Sequence, residues 1–483
     1  MSKTSTGKRK RSYVLNFILL GLMALLAVAT VIALISTAGK GMLPGHYTGI
    51  IIGVVAAILV VSVIAMCRKW SNIVMIVITA LAAAAALFAA NFTGKVSNTV
   101  EVITAKERDI NVSEMKVAVL KAAPYNNLSD LDNKAIGYNS NLSDEEILKI
   151  KTHIDEKASN LVYREEAGIT ELADSLRDDT VPAIVLNESY LDVLEEVEGY
   201  EKFEDEIRYI DEFNIETDVV TDQVKNTDVF LVYISGIDTF GDVVNTSRSD
   251  VNILAAVNTK TKKIQLVSTP RDYYVHIPVS GDAYDKLTHA GLYGVQNSIG
   301  AIEGIYGENV DYYVRMNFTG FETIIDAIGG IDVESDHDFT VTGGGYHFNK
   351  GINHMSGIEA LAFARERKAF ATGDNQRGQD QMKVITATLQ KLTSSRDVLL
   401  NYNTIFDKVS DSFQTNMPED ILYKIVNRQL SDSSGWDVQS YAVSGQGTMA
   451  KTFSMPSRDL YVMLPDESMI AEAKQKLQAV LAE

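Results

Sequence analysis

Three apolar runs within the first 90 residues constrain this chain more than any other feature. They cover residues 14–35, 48–66 and about 73–90, and none of them contains a charged residue. Each run is long enough to cross a hydrocarbon layer of about 30 Å as a helix. A cleaved signal peptide is the alternative for the first run, but three successive runs favour retained helices. The sequence therefore predicts a three-helix membrane anchor over residues 14–90, preceded by a basic segment at residues 1–13.

The basic residues around these runs predict the orientation of the anchor. Lys8, Arg9, Lys10 and Arg11 precede the first run, and Arg68 and Lys69 separate the second from the third, whereas only Lys40 and His46 lie between the first two. Because basic loops stay on the cytoplasmic side, the N-terminus is expected in the cytoplasm. Three spans then predict a multi-pass protein of the cell membrane whose remaining chain is extracellular. ATP and NAD are therefore not expected as its substrates.

The charge of the remaining chain limits its ligands. The first 100 residues hold nine basic residues and no acidic one, so the net charge of −19 for the whole chain leaves −28 for residues 101–483. Such an acidic surface disfavours nucleic-acid binding, and any anionic ligand requires individually placed arginines. The only cysteine, Cys67, excludes a disulfide framework or a cysteine-based metal site.

Hydrophobic patterning divides the outer part into two predicted domains. Residues 96–222 combine short apolar strands with amphipathic helices, which predicts a small α/β accessory domain acting as a structural spacer or a protein-binding module. From residue 226 to residue 483, strands ending in polar loops are followed by helices, which favours an α/β/α sandwich. The predicted strands of this second domain are 229–235, 252–257 and 264–269, and its helices are 318–328, 356–364 and about 375–392.

Charged residues stand at the ends of these three strands. Asp238 follows the first strand, Arg248 and Asp250 precede the second, and Arg271 and Asp272 follow the third. Carboxylates beside arginines suit a magnesium-bound pyrophosphate, because hard oxygens hold the ion and guanidinium groups take the phosphate oxygens. Structural ion pairs that cap loops are an equally good explanation of these residues alone.

A second group of polar residues lies between the last two predicted helices. Arg365 and Arg367 face the same way only if the chain between them is extended, which would make a two-arginine clamp. Asp374, Arg377 and Gln381 fall on one face of a helix that begins near residue 373, and a helix N-terminus favours anions. The arginines of this acidic domain favour a phosphate site over structural ion pairs.

Lys286 and His289 lie between the two groups, in a segment rich in glycine and tyrosine. The imidazole of His289 is either a general base or a buried structural side chain, and the sequence favours the structural role.

The motifs that contain these residues resemble those of the LytR-CpsA-Psr family, in particular its CpsA type, which acts in capsular polysaccharide biosynthesis. The resemblance covers about residues 227–426, and the motifs are specific when taken together. They are GIDT at 236–239, SRSD at 247–250, TPRD at 269–272, DKLTHA at 285–290, GGIDV at 329–333, RER at 365–367 and D-x-x-R-x-x-x-Q at 374–381.

This resemblance implies a polyprenyl chain in an apolar tunnel, with its pyrophosphate at the tunnel mouth. It also implies that Asp238 and Asp250 bind magnesium and that Arg248 lies close to both the metal and the phosphates. The residues implied to bind the phosphates are Arg271, Arg365, Arg367, Arg377 and Gln381. The chain departs from the family pattern at Asp380 and Met382, where a further arginine and paired glutamines are common.

The resemblance leads to a functional hypothesis. A Gram-positive enzyme of this type would transfer a capsular polysaccharide or related glycopolymer from a polyprenyl-pyrophosphate donor to peptidoglycan, with magnesium and with Arg248, Asp250 and Arg271 as its catalytic residues. Two alternatives are a polyprenyl pyrophosphate hydrolase and a membrane-bound regulator of capsule synthesis or transcription. Other capsule-assembly membrane proteins are further expected partners.

Overall fold

A computed structural model gives the fold of the chain. It describes residues 3–38, 45–68, 72–103, 110–219, 228–237, 239, 242–370, 373–394, 408, 413–418, 421–422, 424–425, 428–429, 432 and 434–483. The described chain forms two compact units. One unit contains the N-terminal helices, and the other runs from residue 103 to residue 398 and also includes residues 408–417 and 435–483.

Three apolar helices form the N-terminal part of the first unit. They are α1 (Lys3–Ala38), α2 (Gly45–Arg68) and α3 (Asn72–Ile103). The stretches long and apolar enough to cross a membrane are Tyr13–Ile35, Tyr47–Cys67 and Ile73–Ala90, within a residue of the predicted runs. The three predicted apolar helices are therefore present, their role as a membrane anchor stays a prediction, and α3 continues 13 residues beyond its apolar stretch.

The second unit begins with a five-stranded sheet in the order β3-β2-β4-β1-β5. One of its helices, α6, ends two residues before a residue of the candidate site, Glu196. The elements are β1 (Ile110–Leu120), β2 (Ala135–Asn139), α4 (Asp144–Asp155), β3 (Val162–Glu166), α5 (Ile169–Arg177), β4 (Ile184–Asn187), α6 (Ser189–Leu194), α7 (Phe203–Glu206) and β5 (Ile207–Asp218).

The sequence accounts for the start of α4. Ser143 accepts a hydrogen bond from the backbone N–H of Glu146, whose carboxylate in turn accepts one from the N–H of Ser143. This capping box satisfies two backbone donors that would otherwise lack partners. This part of the chain combines a sheet with helices, as the predicted α/β pattern requires, and its separation as an accessory domain stays a prediction.

A six-stranded mixed sheet forms the centre of the second predicted domain, in the order β16-β11-β6-β7-β8-β17. Its strands are β6 (Val229–Ile237), β7 (Ser249–Asn258), β8 (Lys263–Thr269), β11 (Tyr312–Met316), β16 (Phe413–Thr415) and β17 (Asp437–Ala442). Smaller pairs are β9 (Tyr274–His276) with β10 (Tyr284–Lys286), β12 (Ile331–Ser335) with β15 (Gly351–Met355), β13 (Phe339–Thr340) with β14 (His347–Phe348), and β18 (Gly445–Lys451) with β19 (Asp459–Pro465).

Helices cover both faces of the six-stranded sheet. Leu254 and Ala256 of β7 pack in one core, and Ile253 and Ala255, which point to the opposite face, are also buried. The helices are α8 (Val295–Tyr306), α9 (Phe318–Ala327), α10 (Gly357–Arg365), α11 (Asp374–Ser394) and α12 (Glu467–Ala482). Since α12 contacts β7 and β8 while α11 contacts β8 and β17, the α/β fold class predicted for this domain is confirmed.

The two sheets are connected close to the loop that carries Arg248. The backbone N–H of Val112 in β1 donates to the carbonyl of Val244 at 2.9 Å, and the N–H of Thr246 donates back to Val112 at 2.8 Å. The side-chain amide of Asn245 also donates to Glu114 at 2.6 Å. The first sheet therefore fixes the chain that enters β7.

Candidate functional site

Arg271 lies at the centre of the candidate site, immediately after β8. Its side chain is buried, and Nη1 lies 3.0 Å from each carboxylate oxygen of Asp250. Asp250 belongs to β7, whose antiparallel pairing with β8 brings the two residues to the same end of the sheet. The hydroxyl of Thr288 donates to Oδ1 of Asp250 at 3.0 Å. The predicted proximity of Arg271 and Asp250 is therefore present.

The charge of Asp250 is stabilised by several arginines. Burial of this carboxyl raises its pKa, but the positive charges of Arg271, Arg377 and Arg248 have the larger effect and lower the pKa from 3.8 to about 2. Because these guanidinium groups act on the same carboxylate, they lie within electrostatic range of one another. The site therefore brings together Arg248, Arg271 and Arg377 from three separate motifs.

Glu196 is a member of this site that the sequence did not predict. It follows α6 in the accessory part, and its Oε1 lies 2.8 Å from Nη1 of Arg248 and 3.8 Å from Nη2 of Arg271. Burial opposes its ionisation, but the charges of the two arginines leave the pKa of Glu196 below its ordinary value. Glu196 thus occupies a position from which an anionic ligand would approach both guanidinium groups.

A cavity of about 430 Å³ opens beside Arg271. Its wall contains three cationic side chains, Arg271, Lys286 and Arg367, together with apolar side chains. The Nζ atom of Lys286 lies 3.2 Å from Oδ1 of Asp272, which also lines the cavity. The remaining lining residues are Val193, Glu196, Val197, His289, Met455, Leu460, Tyr461 and Met463.

The lining includes parts of the chain in which no site residue was predicted. Val193 and Val197 come from the accessory part, and Leu460 and Met463 come from β19 near the C-terminus. Apolar residues of this kind are common throughout the chain, so the sequence contains no signal that would have singled them out. Only the tertiary fold brings them to the cavity.

The segment Arg365-Glu366-Arg367 leaves α10 in an extended conformation at Glu366. The side chain of Glu366 is buried and accepts hydrogen bonds from the N–H groups of Thr342 at 2.6 Å and Ala369 at 2.9 Å. Arg365 and Arg367 are both exposed. The alternation expected for an extended chain is therefore observed.

The two arginines of this segment have different surroundings. Arg367 lines the cavity, whereas the guanidinium carbon of Arg365 lies 4.2 Å from the ring centroid of Phe318. This distance is typical of a cation–π contact. The structure therefore brings Arg367 together with Arg271, and the phosphate-binding role of Arg365 stays a prediction.

Helix α11 begins at Asp374, directly after Gly373 with a φ of +51°. The side chains of Arg377 and Gln381 are buried on this helix. Asp380 is buried as well, accepts a hydrogen bond from Gln376 at 3.1 Å, and has a pKa raised to about 6 by burial. A buried carboxyl therefore stands where the family pattern has a further basic residue. The side chain of Asp374 lies outside the described residues.

The predicted magnesium ligands were Asp238 and Asp250. Asp238 lies outside the described residues, and the described part of the chain contains no group of three or more metal-binding side chains. Magnesium in proteins usually takes one or two carboxylates and completes its shell with phosphate oxygens and water. The ionised carboxylate of Asp250 fits that pattern, so magnesium binding stays a prediction.

Comparison with known proteins gives a family match over most of this unit. The family model described as LytR_cpsA_psr matches residues 193–478, which is more than half of the chain. Glu196, the cavity residues from the accessory part and the C-terminal cavity residues all lie inside this range. The match therefore extends beyond residues 227–426, to which the motif resemblance was confined.

Curated proteins with related sequences are named as transferases. The chain is 33% identical over 206 residues to the polyisoprenyl-teichoic acid–peptidoglycan teichoic acid transferase TagU of Bacillus mycoides, covering 42% of this chain and 66% of that one. It is 37% identical over 200 residues to the corresponding transferase TagT of Bacillus subtilis, covering 39% and 61%. The chain thus spans slightly less than two thirds of the length of these relatives.

Solved structures are also similar over about half of the chain. TagT bound to LI-WTA has 30% identity and a TM-score of 0.43, covering 54% of this chain and 94% of that one. The crystal structure of B. subtilis TagV has 26% identity and a TM-score of 0.45, covering 53% and 99%.

Proposed function

The chain belongs to the LytR-CpsA-Psr family, and from this premise we propose that it transfers a glycopolymer from a polyprenyl diphosphate carrier to peptidoglycan. The curated relatives, named as polyisoprenyl-teichoic acid–peptidoglycan transferases, support this class of reaction. The three apolar helices would hold the enzyme at the membrane, where a polyprenyl-linked donor resides.

One observation carries this proposal. Arg271, Arg367 and Lys286, from three distant motifs, line a single cavity that also has apolar side chains such as Val197, Leu460 and Met463. A diphosphate joined to an isoprenoid chain requires both kinds of surface, since guanidinium groups bind phosphate oxygens and apolar side chains shield hydrocarbon from water. A polar substrate without a lipid would leave the apolar part of the wall unused.

The chemistry requires no covalent intermediate on the protein. A hydroxyl of the acceptor glycan attacks the phosphorus that carries the glycopolymer, and polyprenyl monophosphate leaves. Arg271 and Arg367 stabilise the negative charge that develops on the phosphoryl oxygens. Asp250 keeps Arg271 in position through its two short contacts. Arg248, Arg365, Arg377 and Gln381 are proposed to bind the remaining phosphate oxygens.

Magnesium is part of the proposal. Asp250, with Asp238, would hold the ion, which would supply charge neutralisation to the diphosphate when bound. The hard oxygens of these side chains support this assignment.

The proposal also includes the identity of the polymer and the orientation of the chain in the membrane. The motif resemblance to the CpsA type supports a capsular polysaccharide as the polymer, whereas the curated relatives are named for teichoic acid. The basic residues that precede the first and the third apolar stretches support a cytoplasmic N-terminus and an extracellular second unit. Other capsule-assembly membrane proteins are proposed as neighbours in the membrane.

The test uses the purified full chain in lipid nanodiscs, a synthetic polyprenyl diphosphate disaccharide as donor and soluble peptidoglycan as acceptor. Arg271→Ala is expected to abolish transfer and to weaken donor binding at least tenfold. Arg177→Ala is the matched control, since Arg177 pairs with Glu206 away from the cavity. Release of the disaccharide phosphate into water at an equal rate with and without peptidoglycan would instead identify a hydrolase.

A further inference from the structure

His289 is held in a buried polar cluster beside the cavity. It lies in the 3-10 helix Leu287–Tyr293, and its Nδ1 is 2.7 Å from Oδ1 of Asp285 in β10. The carboxylate of Asp285 is fully buried and also accepts the N–H groups of Lys286 at 2.7 Å and Ser454 at 2.8 Å. Two segments of the chain that are distant in sequence therefore fix the position of this imidazole.

These contacts determine which ring nitrogen carries the proton. The carboxylate of Asp285 accepts hydrogen bonds, so Nδ1 of His289 is the donor to it. The hydroxyl of Ser454 lies 2.9 Å from Nδ1 and 3.2 Å from Oδ1 of Asp285, to which it donates. A neutral imidazole protonated at Nδ1 has its free lone pair on Nε2.

His289 also lines the cavity, together with Arg271 and Arg367. The preceding residue, Thr288, donates its hydroxyl to Asp250 at 3.0 Å and its backbone N–H to the carbonyl of Arg271 at 2.9 Å. Nε2 of His289 makes no hydrogen bond to any residue in the described part of the chain. The ring is therefore next to the predicted phosphate site and has an available acceptor atom.

We propose that His289 is the general base of the transfer reaction and that Asp285 is its positioning residue. This inference rests on the proposed function. Nε2 takes the proton of the acceptor hydroxyl as the hydroxyl oxygen forms its bond to phosphorus. The bond between that phosphorus and the bridging oxygen breaks, and the electron pair leaves with polyprenyl monophosphate. Asp285 then faces an imidazolium, which its negative charge stabilises.

The charged groups around His289 have both signs. Asp285 contacts the ring directly, and Asp272 and Glu196 also line the cavity. Arg271, Lys286 and Arg367 are the cationic groups on the same wall. The pH dependence of transfer therefore has to be compared between variants of one enzyme under one buffer composition.

The principal test substitutes His289→Gln in the full chain in nanodiscs, with the synthetic polyprenyl diphosphate disaccharide and soluble peptidoglycan. Loss of a general base is expected to lower kcat by about 10²–10⁴-fold. Donor binding without acceptor should stay within about twofold of the unsubstituted enzyme. His276→Gln is the matched control, because His276 is exposed on β9 and does not line the cavity; its Nδ1 lies 3.1 Å from the carbonyl of Ala283 and its ring packs against Tyr284. This control should leave kcat unchanged.

A second variant tests the positioning role and remains informative if His289→Gln does not fold. Asp285→Asn should lower kcat at least tenfold with little change in KM and should displace the limb of the pH–rate profile that reports loss of a proton from the base. A kcat within threefold of the unsubstituted enzyme for His289→Gln would overturn the proposal. So would an unchanged pH–rate profile for Asp285→Asn.

The outcome also separates this inference from the proposed function. Transfer by the unsubstituted enzyme with an active His289→Gln variant would reject only the general base. Donor binding without any transfer by the unsubstituted enzyme would reject both the transferase and the base. A loss of donor binding equal to the loss of kcat in His289→Gln would assign the residue a structural role and overturn the proposal.

Discussion

The contact between Arg271 and Asp250 shows how a single ion pair can be formed inside a protein without excessive cost. Both side chains are largely removed from water, and burial of a lone charge is strongly unfavourable. The unfavourable burial of Asp250 is offset by two contacts with Arg271, a hydrogen bond from Thr288 and the charges of Arg248 and Arg377. Removal of Asp250 would leave the charges of Arg248, Arg271 and Arg377 without this carboxylate.

This arrangement predicts a pH dependence of stability. The pKa of Asp250 is lowered from 3.8 to about 2, so the folded state favours its ionised form, and the resulting stabilisation is complete above pH 4. The contribution is about 2 kcal/mol and is lost as the pH falls from about 4 to 2. Urea unfolding of the full chain carrying Trp70→Phe, followed by Trp436 fluorescence, measures this change.

Asp250→Asn is the comparison for that experiment. The difference in unfolding free energy between the two proteins should shrink as the pH falls through this range. A difference that stays constant from pH 5 to pH 2 would contradict the predicted ionisation of Asp250.

Glu196 predicts an effect on ligand affinity. Its carboxylate lies 2.8 Å from Arg248 and 3.8 Å from Arg271, where it competes with an incoming phosphate. Glu196→Gln should therefore bind farnesyl diphosphate about tenfold more tightly, equivalent to about 1.4 kcal/mol. Isothermal titration calorimetry at low ionic strength measures the change, which salt should reduce.

The neighbouring Glu195 offers a matched control for charge alone. It is exposed and does not line the cavity, so Glu195→Gln should change the affinity less than twofold. Weaker binding by Glu196→Gln would show instead that the carboxylate holds Arg248 in a binding geometry.

Single residues also show how far the sequence could lead. Arg271 and Asp250 were predictable because each stands at the end of an apolar strand, and strand ends meet at the sheet edge. Glu196 was not, because it lies in an acidic stretch where the sequence EEVEGYEKFEDE contains seven carboxylates of similar local pattern. Its role depends on a contact with Arg248, 52 residues later in the chain, which no local pattern encodes.

At the scale of elements, the turn after α10 determines where Arg367 points. Glu366 holds this turn through the N–H groups of Thr342 and Ala369, and these backbone hydrogen bonds overcome the effect of burial, so that the pKa of Glu366 is lowered. A buried carboxylate that accepts several backbone donors fixes a loop more firmly than exposed side chains can.

Glu366→Ala should therefore weaken binding of farnesyl diphosphate about tenfold, because the turn loses both contacts and Arg367 is no longer held at the cavity. Calorimetric titration measures this change. The control is Glu359→Ala, which removes the capping box with Ser356 at the opposite end of α10. An equal loss of affinity in both variants would show that the stability of α10, and not the turn, determines binding.

The elements themselves were largely predictable. The strands near residues 229, 252 and 264 and the helix of residues 318–327 have boundaries within three residues of those expected, because buried strands and amphipathic helices have strong hydrophobic patterns. The pairing of β18 with β19 was not predicted. This hairpin contains polar and exposed residues, and its contribution to the cavity depends on its packing and not on its pattern.

At the scale of the whole chain, the apolar helices and the acidic second unit have separate physical requirements. Within the described apolar stretches of α1, α2 and α3 many large apolar side chains are exposed, as lipid contact requires, whereas the second unit buries apolar side chains in its own cores. The predicted boundaries at residues 96, 222 and 226 remain predictions, since the accessory part and the following domain belong to one compact unit.

The orientation of the anchor can be tested because the chain has a single cysteine. In a Cys67→Ser background, Asp282→Cys places a thiol at an exposed position of the second unit, and Ser5→Cys places one in the basic N-terminal segment. The cluster of basic residues before the first span predicts that the N-terminus stays in the cytoplasm. A membrane-impermeant maleimide should therefore label residue 282 in intact cells and residue 5 only after permeabilisation.

The two labels report on the same three spans from opposite ends, so they check each other. Labelling of both positions in intact cells would indicate an even number of crossings, and labelling of residue 5 alone would indicate an inverted anchor. Labelling of both positions would contradict only the predicted cytoplasmic N-terminus, because residue 282 would still be outside. Labelling of residue 5 alone would place the cavity of Arg271 and Arg367 on the wrong side of the membrane for peptidoglycan. The extracellular transfer reaction would then be excluded whatever the affinity of the cavity for diphosphates.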